Sequence, residues 1–154
     1  MHSRPKLHFS LHFERDFEAL SAIEKLVDRN AYEVLGYFEP GAWERLTRAG
    51  VDTVKRWVDT QVSRADGVIV LVGAQTFSRP MVRYEIARAA ALKRGLFGLS
   101  LDGKATKNRN QFEYVTFPAG VTRHTYPVFD PPDDQHATVM NARIAEALRV
   151  AGRA

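Results

Sequence analysis

The chain has 154 residues, 45% of them hydrophobic and 26% charged, with a formal net charge of +4 and no cysteine. That length supports one compact domain with its own core, and the composition is that of a soluble globular protein rather than a disordered or fibrous one. The absence of cysteine excludes disulfides, thiolate zinc sites and cysteine nucleophiles. No apolar run approaches the roughly 18 residues of a membrane span and the opening MHSRPKLHF lacks a signal-peptide core, so a cytoplasmic protein without a membrane partner is expected.

In chain order, the first strand is Lys6-Leu-His-Phe-Ser-Leu11, and a helix over residues 15–29 follows, with Phe17, Leu20, Ile23, Leu26 and Val27 on one side. Glu33-Val-Leu-Gly-Tyr-Phe38 reads as a second strand ended by Pro40-Gly41, with a loop containing Trp43 after it. A helix over residues 51–65 is expected to bury Val51, Val54, Trp57, Val58 and Val62. Gly67-Val-Ile-Val-Leu-Val-Gly73 is a continuous β-branched run, the pattern of a central parallel strand covered on both faces.

SRPMVRYEIARAAALKRG, residues 78–95, reads as a helix that starts at Ser78-Arg79-Pro80, with Ser78 as N-cap, and stops at Gly95. A strand Leu96–Leu101, an irregular stretch to Thr125, a short strand Tyr126–Phe129 and a helix from Ala137 to Val150 complete the chain. The irregular stretch is longer than loops in compact domains usually are, so it is either a functional excursion or contains short structure. Phe112, Tyr114 and Phe117 within it are expected to cover the sheet edge. This alternation defines one α/β domain over residues 1–154: a doubly wound, mostly parallel five-stranded sheet in the flavodoxin-like order 2-1-3-4-5. Ligands in such a sheet bind outside the carboxyl ends of the strands where the order reverses, which points to Ser10–Phe13 and to Gly73–Glu85.

Gly73-Ala-Gln-Thr-Phe-Ser78 lacks G-x-G-x-x-G and a G-K-[ST] ending, so it is not a phosphate loop. His8, Ser10 and His12 share one face of the first strand, opposite Phe9, Leu11 and Phe13. Two histidines four residues apart on a strand are too distant for one metal ion, and no metal centre is expected. His12 is either a ligand contact at the strand's carboxyl end or a surface residue. No Ser-His-Asp arrangement is defensible. The basic groups Arg79/Arg83, Lys93/Arg94 and Lys104-Ala-Thr-Lys107-Asn-Arg109 are interspersed with acids, and nucleic acid is not an expected partner. Glu85 is the unusual residue. At about 100° per residue it falls between Leu92 and Ala89, with Ile86 on the far side of Ala89, inside the apolar stripe of its helix. A carboxylate there is costly unless it is paired, hydrated or lines a cavity, which leaves a buried ion pair, a wet edge of the stripe or a ligand site. A single carboxylate facing a crevice suits chemistry at a glycosidic carbon.

Phe9-Ser-Leu-His-Phe-Glu-Arg-Asp16 resembles the opening strand of TIR domains, in the "FISFHYxxD" version of the bacterial TIR-like proteins of Thoeris anti-phage systems. Ile69-Val-Leu-Val-Gly73 with Thr76, Val82-Arg-Tyr-Glu-Ile86 and Trp57-Val-Asp59 are similar to that group's "IVLIG", "WV.YEI" and "WID" segments, so the resemblance runs in order over residues 6–101 and leaves 102–154 less constrained. It implies that Glu85 is the catalytic glutamate of an S-x-W-[VC]-x-x-E pattern, with Met81 in place of the usual tryptophan and Ser78 displaced by one. The implied activity is cleavage of the nicotinamide–ribose bond of NAD+, a substrate rather than a cofactor, with release of an ADP-ribose-derived, cyclic signalling nucleotide. The residues implied on the substrate side are Phe9, Ser10, Leu11, His12 and Phe13 around nicotinamide, Tyr37 and Trp43 for stacking, Arg83 toward phosphate, and Tyr84. The resemblance further implies homo-oligomerisation on activation, a phage component as trigger and a separate effector protein reached through the nucleotide. The rival readings are a non-enzymatic TIR assembly module, and a nucleoside deoxyribosyltransferase-like enzyme whose helix-borne glutamate attacks a deoxyribose carbon.

Overall fold

The β-branched run at the middle of the chain forms β3 (Gly67–Val72), which pairs in parallel with β1 (Lys6–Ser10) on one side and β4 (Gly95–Ser100) on the other. The computed structural model describes residues 4–11, 13–35, 40–72, 80–100, 112–115, 124–129 and 137–152. β1 also carries β2 (Glu33–Val34) in parallel, and β4 carries β6 (His124–Phe129), whose far edge is completed by the antiparallel β5 (Phe112–Val115). The sheet order is β2-β1-β3-β4-β6-β5.

Side-chain alternation along the strands divides the interior into two layers. On one face Leu7, Phe9 and Leu11 join Ile69, Leu71, Phe97 and Leu99 beneath α1 (Phe13–Glu24) and α5 (Ala137–Val150), which contribute Leu20 and Ile23, and Met140, Ile144 and Leu148. On the other, Val68 and Val70 of β3 lie beneath α3 (Val51–Arg64) and α4 (Pro80–Ala91), which supply Val54, Val58 and Val62, and Val82, Ile86 and Ala89. The register His8↔Val68 and Ser10↔Val70 puts two polar β1 side chains on this second face, where β3 offers valines. The doubly wound architecture expected from the alternation is present, with helices on both faces of a mostly parallel sheet.

Several local expectations differ from the structure. Among the described residues the sheet has six strands, not five: the parallel order 2-1-3-4-5 holds with β6 as its fifth member, and β5 is an additional edge strand within the stretch read as irregular. Phe112 and Tyr114 lie on that edge strand, and Phe117 lies outside the described residues. Pro40-Gly41 opens a helix, α2 (Pro40–Arg48), because proline is tolerated in a first helical turn, and Arg45 and Arg48 in the last turn complement the helix dipole. Val51 begins α3 at 63% exposure while Val54, Val58 and Val62 are buried. α4 ends at Ala91, four residues short of Gly95, with Lys93 at φ 57° and the Arg94 N–H donating to the Ala89 carbonyl at 2.9 Å, a left-handed termination that glycine usually supplies.

α1 also stops early, at Glu24, and an Asp28 turn follows in which the Asn30 N–H donates to the Asp28 carboxylate. Asn141 of α5 holds that turn from the side: its amide N–H donates to the Leu26 carbonyl at 2.9 Å and its Oδ1 accepts from the Asp28 N–H at 2.8 Å. Asn141→Ala is expected to lower unfolding free energy by about 1–3 kcal/mol, because paired backbone groups lose their partner. The urea midpoint measures it.

Candidate functional site

Glu85 faces the polar floor of the second layer. Its carboxylate Oε2 accepts from the His8 Nε2–H at 2.5 Å, with side-chain exposures of 8% and 3%. An acidic residue stands in an apolar stripe because α4 lies over β1 as well as β3, and the β1 residue beneath it is an imidazole. A buried carboxylate without such a partner costs several kcal/mol. The His8 ring meets Trp57 of α3 edge-to-face, with centroids 6.0 Å apart at 68°.

Two residues further along β1, Ser10 is fully buried, and its hydroxyl has no hydrogen-bond partner among the described residues. An unpaired buried hydroxyl costs about 1–3 kcal/mol. It lies at the carboxyl end of its strand, on the same face as His8 and beside Val70.

The neighbours of Glu85 on α4 are held by α3. The Tyr84 hydroxyl donates to Asp59 Oδ1 at 2.6 Å, and Arg88 Nε lies 3.2 Å from the same oxygen. Lys55 Nζ stands 5.5 Å from the centre of the Tyr84 ring. Burial first, then the hydrogen bond and charge of Asp59, push the Tyr84 phenol above its ordinary pKa, with Arg88 opposing. The Trp57-Val-Asp59 segment thus touches both His8 and the flanks of Glu85.

Of the residues expected at the site, Glu85 and Ser10 share one layer of the fold, on the face opposite the core positions of Phe9 and Leu11. The Tyr84 hydroxyl is directed to Asp59. His12 and Tyr37 lie outside the described residues, as do Gly73 to Arg79; of Phe13, Trp43, Met81 and Arg83 the backbone alone is described, in α1, α2 and α4. His8 is the residue that sequence reasoning missed. Its parity with Ser10 and the paired-carboxylate alternative for Glu85 are legible in the sequence, but neither says which residue of β1 meets α4.

A cavity of about 690 Å³ lies at the other end of β4, between the α4 terminus and α5, bordered by Arg94, Leu96, Val139 and Ala147. Size alone makes such a cavity a default candidate. The carboxylate–imidazole pair, with a hydroxyl unpaired among the described residues beside it, makes Glu85 the candidate site instead. Among the described residues no three His, Asp or Glu side chains converge as metal ligands, and no helix is long and apolar enough to cross a membrane.

A doubly wound domain with a glutamate on the helix after its third strand, buried over the first strand, has the architecture of a TIR-like domain. The chain belongs to the family of the Thoeris protein ThsB, TIR-like domain, whose sequence profile matches residues 8–106. Over 121 residues it is 24% identical to the "Putative cyclic ADP-D-ribose synthase ThsB1" of Bacillus cereus (strain MSX-D12), a match that takes in 73% of this chain. The chain spans 63% of the length of that relative.

Proposed function

We propose that this domain cleaves the nicotinamide–ribose bond of NAD+ and releases an ADP-ribose-derived, cyclic nucleotide as a signal in anti-phage defence. The observation that carries the reading is the Glu85 carboxylate, buried in the second turn of α4 and bonded to one imidazole. Membership of the ThsB TIR-like family and the name of the Bacillus cereus relative support it. Nicotinamide is a cationic leaving group: when the C–N bond breaks, its electron pair returns to the ring nitrogen and the product departs neutral. No general acid is needed. Glu85 then stabilises the positive charge that develops at the anomeric carbon, the kind of preorganised electrostatic work that supplies the largest part of many rate enhancements. A hydroxyl or adenine nitrogen of the same nucleotide captures that carbon, gives up a proton to solvent and closes the ring.

We further propose that protomers associate on exposure to a phage component, that the segment Pro40-Gly-Ala-Trp43 of one protomer completes the site of its neighbour, and that the product activates a separate effector protein. The experiment incubates purified protein with NAD+, alone and with lysate of infected cells, and follows nicotinamide by chromatography and nucleotides by mass spectrometry. Nicotinamide together with a species of cyclic ADP-ribose mass supports the reading. Intact NAD+ with exchange of bases between deoxynucleosides replaces it with deoxyribosyl transfer, and no turnover of either leaves an assembly module.

A further inference from the structure

We propose that His8 is the positioning residue of Glu85: its Nε2–H holds carboxylate oxygen Oε2 and leaves Oε1 as the oxygen presented to a ligand. The kinetic part of this inference rests on the NAD+ reading above, and the geometric part does not. His8 stands on β1, whose backbone is fixed on both sides by parallel pairing with β2 and β3. Its ring is seated against Trp57, and Asp59, two residues on, ties Tyr84 and Arg88 on either side of Glu85. One segment of α3 therefore sets the imidazole and the helix that carries the carboxylate. A glutamate has several rotatable bonds, and a donor on a rigid strand restricts them to the conformer that brings Oε2 within 2.5 Å. Beyond the pair, toward the carboxyl end of the sheet, the same face continues with the buried Ser10 hydroxyl, which has no partner among the described residues. A ligand hydroxyl entering from that end can donate to Oε1 and meet the Ser10 Oγ, while His8 remains behind the carboxylate.

Two substitutions separate positioning from packing. His8→Phe keeps an aromatic ring against Trp57 and removes the donor; His8→Gln places an amide N–H within reach of the same oxygen. With NAD+ under activating conditions, His8→Phe is expected to lower kcat on the order of 10²-fold, the cost of a misplaced catalytic group, with KM within about twofold of wild type. His8→Gln is expected to recover most of that loss. In crystal structures Glu85 should leave its position in His8→Phe and keep it in His8→Gln. Should His8→Phe not fold, His8→Asn, whose amide stops short of Oε2, takes its place. Wild-type kcat in the variant lacking the donor, a loss confined to KM, or a Glu85 side chain that stays in place without the donor overturns the proposal. If wild-type protein releases no nicotinamide, the NAD+ reading fails, and the crystal structures alone decide whether His8 positions Glu85.

Discussion

Glu85→Gln should lower nicotinamide release by about 10²–10³-fold or more, the cost of removing one preorganised electrostatic group from a reaction centre, while the domain stays folded. Glutamine has nearly the shape of glutamate, and its amide oxygen still accepts from the His8 Nε2–H, so the hydrogen bond between α4 and β1 survives. What disappears is a negative charge held at 8% side-chain exposure. Glutamine keeps the hydrogen bond and removes the desolvation cost of a buried charge, so the unfolding free energy from urea titration should change by no more than roughly 1 kcal/mol. A purely structural ion pair predicts the opposite combination: a loss of several kcal/mol from the broken pair with no change in NAD+ turnover. Chromatographic assay of nicotinamide and urea unfolding on the same preparation separate the two. Unchanged turnover per folded molecule under activating conditions would remove Glu85 from the mechanism.

Periodicity exposed Glu85 but not its partner, for a physical reason. A helical repeat says which residues of α4 face the sheet, and strand alternation says which residues of β1 face α4, yet neither says which of the two sets meet. His8 and Glu85 are 77 residues apart, and their contact depends on how α4 crosses the sheet. The same holds for Asn141, whose three hydrogen-bond partners lie on its own helix and across the fold on the turn after α1. β3 was legible because a strand buried on both faces needs apolar residues at every position and so writes its own length. α2 was not, since Pro-Gly is as good a turn as a helix start, and proline's missing N–H costs nothing in a first turn. Among the described residues β5 pairs on one side alone, antiparallel to β6, and Phe112-Glu-Tyr-Val115 is too short for alternation to register.

Gly95 shows how much of the fold depends on a residue that sequence reading took for punctuation, and Gly95→Ala is expected to lower stability by about 2–3 kcal/mol, the upper part of the range for overpacking a fitted core. A methyl group there would stand 2.9 Å from the Ala147 carbonyl oxygen, 3.0 Å from its carbon and 3.2 Å from the Leu148 nitrogen, all of them backbone atoms of α5. A side chain can turn away, but a helix backbone yields only by moving the whole helix. α5 is pinned through Met140, Ile144 and Leu148, each at most 2% exposed, so a shift loosens the packing of three core side chains at once. Gly67 is the control. A methyl group there meets the Leu7 and Leu148 Cδ2 atoms at 3.2 and 3.3 Å, ends of side chains that can rotate. The lower entropy of the unfolded alanine chain offsets part of the crowding, by about 0.4–1 kcal/mol, so Gly67→Ala should fall within roughly 1 kcal/mol of wild type. For a chain of this length the Gly95→Ala loss corresponds to a fall of about 4–12 °C in Tm. α5 lies on the face of the sheet opposite α4, and so the turnover of molecules that remain folded should not change. Equal urea midpoints for Gly95→Ala and wild type would show that α5 does not press on β4 at this glycine.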